Sequence, residues 1–315
     1  MATQHPDNAS APTWERNGDG FVSVREETAE LLWCYRELGA GEFMWDWEGK
    51  YADEAVIDRL FTDYAHEFRR APLRRDRFLT FRLQNVWREP GYSLARAFMV
   101  MLTSEDFAHD LKLHAPPLFE AILPMCERAD QLLYLQRTFT RLARCVTATF
   151  NHVGRKHQDY LHLIPLVEDV HDQLKVAKLL DRYLVLHRRL YGRKPAYLRP
   201  FLARSDPALA SGLLANVLAT KVALSQIEQF SRHTQVPTYP IIGAGSLPFR
   251  GGLTPSTVQP FAHQYAGVRT VTVQSAFRYD YPLVEARAGV RELGHLLPHT
   301  HALVLTPPEE RMAAQ

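Results

Sequence analysis

The sequence has few of the features that mark secreted or membrane-spanning proteins. Only three of its 315 residues are cysteine, and these are Cys34, Cys126 and Cys145. Their wide separation excludes a C-x-x-C motif and a disulfide scaffold, and is typical of free thiols in a reducing compartment. No apolar run reaches about 18 residues, so no segment is predicted to cross a membrane. The first residues carry no basic stretch followed by an apolar one, so we predict no signal peptide and a cytoplasmic location.

Strong net charge and several familiar catalytic motifs are also absent. The formal net charge is +2, which gives no broad basic field for nucleic acid or an anionic membrane and leaves room only for a local anion pocket. No G-x-G-x-x-G turn marks a dinucleotide-binding fold, no H-E-x-x-H pair marks a zinc enzyme, and no G-x-S-x-G elbow marks an α/β-hydrolase. The function has to be found in a different pattern.

Short runs of apolar and β-branched residues alternate along the chain with longer segments of helical period. Such runs, bounded by turn-forming residues, are typical of strands. Seven of them occur, at 42–48, 77–83, 118–125, 161–167, 196–203, 238–245 and 269–277, and residues 2–5 are a candidate for a short eighth strand placed first. Alternation of strand and helix predicts a parallel sheet with right-handed crossovers.

The segments between these runs carry apolar residues at helical spacing. Segment 168–192 ends in basic residues followed by Gly192, which is a helix C-terminal signal. In segment 211–230 the period predicts one buried face, made of Leu213, Leu214, Val217, Leu218, Leu224 and Ile227.

Eight strand–helix units indicate closure into an α/β (β/α)8 TIM-type barrel with additional helices, a fold of about 250 residues. We therefore predict that residues 1–315 form a single catalytic barrel domain. A doubly wound open sheet is the main alternative, and the lack of a Gly-rich turn after an early strand disfavours it.

Charged side chains follow several of the predicted strands, at the end where parallel barrels place their chemistry. In chain order they include His5, Asp46, Arg82, Glu168, Arg204, Asp206, Arg250 and Arg278. Carboxylates converging from different strands are typical ligands of Mg²⁺, and converging arginines match phosphate or carboxylate groups. The set predicts a small, anionic, phosphorylated substrate held on a metal. Structural ion pairs that close the barrel mouth are the alternative interpretation.

The stretch GAGSLPFRGGLTP at 243–255 favours neither helix nor strand. Its glycines allow the backbone to approach a ligand and to direct N–H groups at an anion, and Arg250 adds a positive charge. A long surface loop that needs glycine for its turns is an equally acceptable interpretation of this stretch alone.

Five motifs, taken together and in order, resemble the archaeal-type phosphoenolpyruvate carboxylases over essentially the whole chain. They are MATQHPDNAS at 1–10, EFMWDWEGK at 42–50, PLVEDV at 165–170, ARSDPAL at 203–209 and PFRGGL at 248–253. The resemblance implies a (β/α)8 barrel, usually assembled as a homotetramer. It also implies a carbon–carbon lyase that joins phosphoenolpyruvate and bicarbonate into oxaloacetate and phosphate with Mg²⁺ or Mn²⁺.

The resemblance also implies roles for individual residues. His5 takes the place of the catalytic histidine, and Arg250 that of the arginine in the glycine-rich loop. Glu168 and Asp206 fall at the places of the metal carboxylates. Arg82 and Arg278 resemble anion-binding arginines, and the strand-end position of Arg204 adds a third substrate-binding candidate.

The chain ends soon after the eighth predicted unit, at EERMAAQ. Other members continue into a substantial helical region, so the resemblance predicts either a fragment or a naturally short version. Two alternative functions remain at this stage. One is another Mg²⁺-dependent barrel enzyme that acts on a 2-oxo acid or its enol phosphate. The other is a catalytically inactive module for anion binding or assembly.

Overall fold

Eight parallel strands form the centre of the protein, in the order in which they occur along the chain. The structure is a computed structural model that describes residues 1–5, 7–15, 18–47, 54–89, 92–113, 115–150 and 157–314. The strands are β1 (Ala2–Thr3), β2 (Glu42–Asp46), β3 (Phe78–Arg82), β4 (Glu120–Leu123), β5 (His162–Val167), β6 (Phe201–Leu202), β7 (Ile241–Ile242) and β8 (Thr270–Val271).

The sheet closes on itself because the first strand meets the segment that follows the last strand. Ala2 forms a parallel bridge with Val273, just beyond β8. The Val273 amide donates to the Met1 carbonyl at 2.9 Å, and the Met1 ammonium donates to the Val271 carbonyl at 2.9 Å. The predicted TIM-type barrel, with all eight strands, is therefore confirmed, and the open-sheet alternative is excluded.

Helices follow the strands and cover the outside of the barrel. They are α1 (Glu27–Trp33), α2 (Val56–Asp63), α3 (Ala65–Arg70), α4 (Tyr92–Asp110), α5 (Ala129–Phe150), α6 (Val170–Gln173), α7 (Val176–Tyr191), α8 (Ser205–Ser211), α9 (Leu213–Thr234), α10 (Val258–Gln264), α11 (Ser275–Tyr279), α12 (Leu283–Leu296) and α13 (Pro307–Ala314). A short π-helical turn, Cys34–Leu38, extends α1 and ends at Gly39 in the left-handed region. Across the described parts of the chain, no helix is both long enough and apolar enough to cross a membrane.

Two apolar layers hold the barrel together. The larger lies between strands and helices and includes Phe43, Trp45 and Phe81. The smaller fills the interior and includes Met44 and Ile164. Because neighbouring residues of a strand face opposite sides of the sheet, Phe43 and Trp45 join the outer layer while Met44 points inward.

Two sequence predictions about local structure are wrong in part. The eighth strand is shorter than the run 269–277, because Ser275 begins α11. In α9, Leu213 and Leu214 are 45% and 71% exposed, whereas Asn216 and Thr220 are fully buried. The inward side of the N-terminal half of α9 faces polar side chains that need hydrogen-bond partners. Asn216 accepts from Arg204, and Thr220 donates to Gln173 at 3.1 Å.

Candidate active site

A small cavity opens at the carboxyl ends of the strands. Its polar lining comes from five of the eight strand ends or their following loops, and comprises Thr3, His5, Arg82, Glu168, Arg204, Ser205, Asp206, Thr272 and Gln274. Met44, Leu166 and Phe201 form an apolar floor. Five of the seven predicted site residues therefore line one cavity, although they are up to about 200 positions apart in the sequence.

His5 reaches the cavity because the N-terminal residues are held in place on several sides. Beyond β1, the Gln4 side chain accepts a hydrogen bond from the Asp46 amide at 3.0 Å, and the His5 carbonyl accepts one from the Ser275 hydroxyl at 3.2 Å. Burial lowers the pKa of His5 below its ordinary value, and the charges of Arg82 and Arg250 lower it further. The imidazole is therefore neutral at neutral pH and can accept a proton.

Asp7 fastens the N-terminal segment to the glycine-rich loop. One carboxylate oxygen accepts from the Ala276 amide at 2.7 Å, and the other accepts from the Ser246 amide at 3.1 Å. At Gly245, an added Cβ would lie 2.6 Å from the Asp7 carboxylate and 2.4 Å from Gln274 Oε1. A larger residue at this position would push the Asp7 and Gln274 side chains out of their present places, because both contacts are far below the van der Waals distance.

The two carboxylates predicted to bind metal, Glu168 and Asp206, line the same cavity. The Met125 amide donates to Glu168 at 2.8 Å, from a backbone with φ of 47° that places this non-glycine residue in the left-handed region. Burial raises the pKa of Glu168, with Asp206 and Asp46 raising it further against the opposing effect of Arg82. A divalent cation would relieve this concentration of negative charge.

Arg82 and Arg278 differ in what they can do for a ligand. Arg82 lines the cavity and forms a two-pronged ion pair with Asp46, at 3.0 and 2.9 Å. Arg278 is not brought to the cavity: it is buried behind β1, where it pairs with Glu30 at 2.9 Å and donates to the Thr3 carbonyl at 2.7 Å. This placement differs from the predicted substrate contact, because the side chain runs back from α11 and holds the strand that carries His5.

Arg204 and Arg250 carry positive charge that no carboxylate of the described residues neutralises in an ion pair. Arg204 is 1% exposed, donates to Asn216 Oδ1 and lies over the Tyr265 ring at 5.2 Å. Arg250 donates to Gln274 Oε1 at 3.2 Å, just outside the cavity lining. Their charges are thus available to an anionic ligand.

A larger cavity, of about 590 Å³, lies at the opposite end of the barrel. Its buried arginine, Arg199, already pairs with Glu42 at 2.7 Å and with Glu120. Two carboxylates therefore already compensate this arginine, which distinguishes it from Arg204 at the mouth.

The sequence identified only some of the residues that build the site. Gln274 follows a predicted strand and was found by that signal. Asp7, Asn216 and Tyr265 gave no such signal, because each acts through a partner that only the fold brings near.

Comparison with known proteins adds independent information. The family model described as phosphoenolpyruvate carboxylase matches residues 1–313. A protein of that name from Leuconostoc mesenteroides is 45% identical over 315 residues, which are 100% of this chain and 62% of that protein. One from Oenococcus oeni is 42% identical, covering 99% and 62% of the two chains, and one from the archaeon Methanospirillum hungatei is 37% identical, covering 93% and 61%. The chain thus spans about three fifths of the length of these curated relatives.

Proposed function

Because the chain belongs to the phosphoenolpyruvate carboxylase family, we propose that its barrel mouth converts phosphoenolpyruvate and bicarbonate into oxaloacetate and phosphate. The observation that carries this proposal is the single cavity lined by His5, Glu168, Asp206, Arg82 and Arg204. A neutral base, two carboxylates and cationic groups meet there, as carboxylation through an enolate requires.

The first step is the transfer of the phosphoryl group. An oxygen of bicarbonate bonds to phosphorus while the bond from phosphorus to the enol oxygen breaks, giving carboxyphosphate and the enolate of pyruvate. Negative charge gathers on the phosphoryl oxygens in this transition state. Arg250, which has no carboxylate partner of its own among the described residues, stabilises that charge. Arg204 supplies a second positive charge to the anionic groups of the substrates.

The second step needs a base. The neutral imidazole of His5 takes the carboxyl proton of carboxyphosphate, whose carbon–oxygen bond breaks to release carbon dioxide and phosphate. Carbon 3 of the enolate then attacks carbon dioxide and forms oxaloacetate, and the proton leaves His5 with phosphate. The apolar floor of Met44, Leu166 and Phe201 limits the access of water, which would otherwise protonate the enolate to pyruvate.

Glu168 and Asp206 would hold the Mg²⁺ or Mn²⁺ that this reaction uses. Their oxygen donors suit a hard cation, and the raised pKa of Glu168, caused by burial and increased by Asp206, supports a cation between them. Across the described part of the chain, no three His, Cys, Asp or Glu side chains are grouped for metal binding, so substrate and water would complete the coordination. When bound, the cation supplies neutralisation of charge on substrate oxygens.

The test is a coupled assay for oxaloacetate with the purified chain. Product is expected only when phosphoenolpyruvate, bicarbonate and Mg²⁺ are all present. The variant His5→Asn should lower kcat by about 100-fold or more because the general base is lost. His263→Asn, at an exposed position, is the matched control. Product formed without bicarbonate would indicate a different enol-phosphate chemistry, and unchanged kcat in His5→Asn would remove the base from this mechanism.

The family resemblance also leads us to propose a cytoplasmic homotetramer whose ligands are phosphoenolpyruvate and bicarbonate, with no nucleic-acid partner. The charge pattern supports the absence of nucleic acid, because a net charge of +2 provides no extended basic surface.

A further inference from the structure

We propose that Arg204, Asn216 and Tyr265 form a subsite in which Arg204 binds two oxygens of a substrate oxyanion. The other two residues are uncharged and form the walls of this subsite. The proposal rests on the proposed function for the identity of the oxyanion, which belongs to phosphoenolpyruvate or to bicarbonate. It adds two residues, Asn216 and Tyr265, that no motif of the sequence identified. Their role is to hold the positive charge of Arg204 without neutralising it.

The surroundings of Arg204 are unusual for a buried charge. A buried guanidinium is normally paired with a carboxylate, because an unpaired charge is costly to remove from water. Arg204 is 1% exposed, and its described neighbours offer an amide oxygen from Asn216 and the face of the Tyr265 ring at 5.2 Å. Both groups stabilise a cation but leave its full charge in place.

Three other arginines that are buried or nearly so among the described residues show the contrast. Arg278 pairs with Glu30, Arg82 with Asp46, and Arg199 with Glu42 and Glu120. Each of these guanidiniums is compensated within the protein. Arg204 lines the same cavity as Glu168 and Asp206 yet has no such partner in the described chain. Its compensation is therefore left to a ligand.

The geometry of the guanidinium leaves one edge free. Nη1 is used by Asn216 Oδ1, while Nε is buried and has no acceptor among the described residues. Nε and Nη2 point along one edge of the planar group, and this edge matches two oxygens of a carboxylate, bicarbonate or phosphate. Unpaired buried donors are rare in folded proteins, so this edge indicates a missing acceptor.

Asn216 supports the same conclusion. Its Nδ2 is also buried without an acceptor among the described residues, although its Oδ1 is bonded. The amide cannot be flipped to satisfy Nδ2, because two donors would then face each other at Arg204 Nη1. The glycine-rich loop lies beside this group: a Cβ added at Gly251, whose φ is 108°, would be 3.8 Å from Arg204 Nε.

The test uses Asn216→Asp, which keeps the size and the acceptor oxygen but places a negative charge on Arg204. If the subsite holds an oxyanion, this internal partner should compete with it. Isothermal titration calorimetry with phosphoenolpyruvate, inorganic phosphate and bicarbonate is expected to show at least one dissociation constant raised by about tenfold or more. Arg204→Lys, which keeps a charge but loses the two-donor edge, should weaken the same anion.

The anion that is weakened identifies the source of the oxyanion. A rise for phosphoenolpyruvate and phosphate assigns the edge to the phosphoryl group. A rise for phosphoenolpyruvate alone assigns it to the substrate carboxylate, and a rise for bicarbonate alone assigns it to the second substrate. Unchanged binding of all three anions in both variants would overturn the proposal. In that case Arg204 has only a structural role, and the carboxylate of Asn216→Asp simply pairs with it without displacing a ligand.

Two controls keep this result separate from the proposed function. Arg287→Lys, at a half-exposed arginine paired with Glu37, should leave all three affinities unchanged. Far-UV circular dichroism verifies the fold of each variant, and Arg204→Lys gives a second route if Asn216→Asp does not fold. Because binding needs no turnover, a chain that makes no oxaloacetate but loses anion affinity in these variants contradicts the proposed function and supports the subsite.

Discussion

At the scale of single residues, the site is built from side chains whose partners lie far away in the sequence. Asp7 contacts Ser246, Arg278 contacts the Thr3 carbonyl, and Glu168 accepts from Met125. Met125 adopts a left-handed backbone that most non-glycine residues avoid, at the point where its amide meets a predicted metal ligand. Strained backbone of this kind is concentrated at functional sites.

The two carboxylates give a residue-scale prediction. Glu168→Gln and Asp206→Asn each remove one anionic oxygen ligand while keeping the side-chain size. Each change should weaken Mn²⁺ binding by at least about tenfold, because hard cations depend on carboxylate charge. Electron paramagnetic resonance of free Mn²⁺ measures this directly.

A matched control for metal binding is Glu127→Gln, which removes an exposed carboxylate that pairs with Arg88. Its Mn²⁺ affinity should equal that of the unaltered chain. Equal affinity in Glu168→Gln and Asp206→Asn as well would show that the cation binds somewhere else.

At the scale of elements, β1 is one of four two-residue strands and has the greatest importance for the site. β1 contains only Ala2 and Thr3, yet it closes the barrel and carries His5. So short a strand cannot hold its position alone, since termini usually fray. The Met1 ammonium, the Asp7 carboxylate and Arg278 hold it from three sides.

The link from this segment to the glycine-rich loop can be tested with Asp7→Asn. Replacing one carboxylate oxygen by NH₂ turns a donor toward a backbone N–H, so one hydrogen bond is lost and a donor is left unsatisfied. We expect the free energy of unfolding to fall by about 1–3 kcal/mol. Hydrogen exchange of the Ser246 amide, followed by mass spectrometry of the 243–253 region, should become faster.

Asp280→Asn is the control for this element, because Asp280 accepts from the exposed amides of Ala9 and Ser10 and forms no hydrogen bond with the described residues of the loop. Exchange at 243–253 should be unchanged there. The same exchange rate in both variants would mean that Asp7 does not restrain the loop.

At the scale of the whole molecule, the two ends of the barrel have different electrostatics. At the mouth, no carboxylate of the described residues pairs with Arg204 or Arg250. At the opposite end, Arg199 pairs with Glu42 and Glu120 beside a cluster of aromatic and histidine rings. There His162 stacks on Tyr197 at 4.7 Å, and Tyr160 shares a hydrogen bond with His187 at 2.8 Å.

The buried His162 at the opposite end of the barrel predicts that the protein loses stability in acid. Burial, with Arg74, His187 and Arg193, lowers the pKa of His162 to about 4. The unfolded chain takes up this proton near pH 6.5, so the folded state loses stability as the pH falls from about 6.5 to about 4, by about 3 kcal/mol in all. Above pH 6.5 both states are neutral and the contribution vanishes.

Urea unfolding at pH 7 and pH 5 tests this prediction. His162→Phe keeps a stacking ring but cannot titrate, so its loss of stability between the two pH values should be about 2 kcal/mol smaller than that of the unaltered chain. His263→Phe, at an exposed position, controls for the general effect of removing a histidine. Identical losses in all three proteins would contradict a buried neutral His162.

The sequence by itself determined the alternation of strand and helix, the barrel and the strand ends that meet at its mouth. These follow from local periodicity and from the rule that parallel strands share one carboxyl edge. It also placed His5, Glu168, Asp206, Arg82 and Arg204 at the carboxyl ends of predicted strands, and the structure brings these five residues to one cavity.

Only the tertiary structure decided which charges are compensated. Arg204 and Arg278 look alike in the sequence, but a carboxylate 248 positions away neutralises Arg278, while an amide and a ring leave Arg204 charged. The same reason explains α9. Apolar spacing predicted that Leu213 and Leu214 are buried, but Asn216 and Thr220 face inward instead, where they form hydrogen bonds with Arg204 and Gln173. Pairing across the fold depends on distances in space, and local sequence patterns carry no information about them.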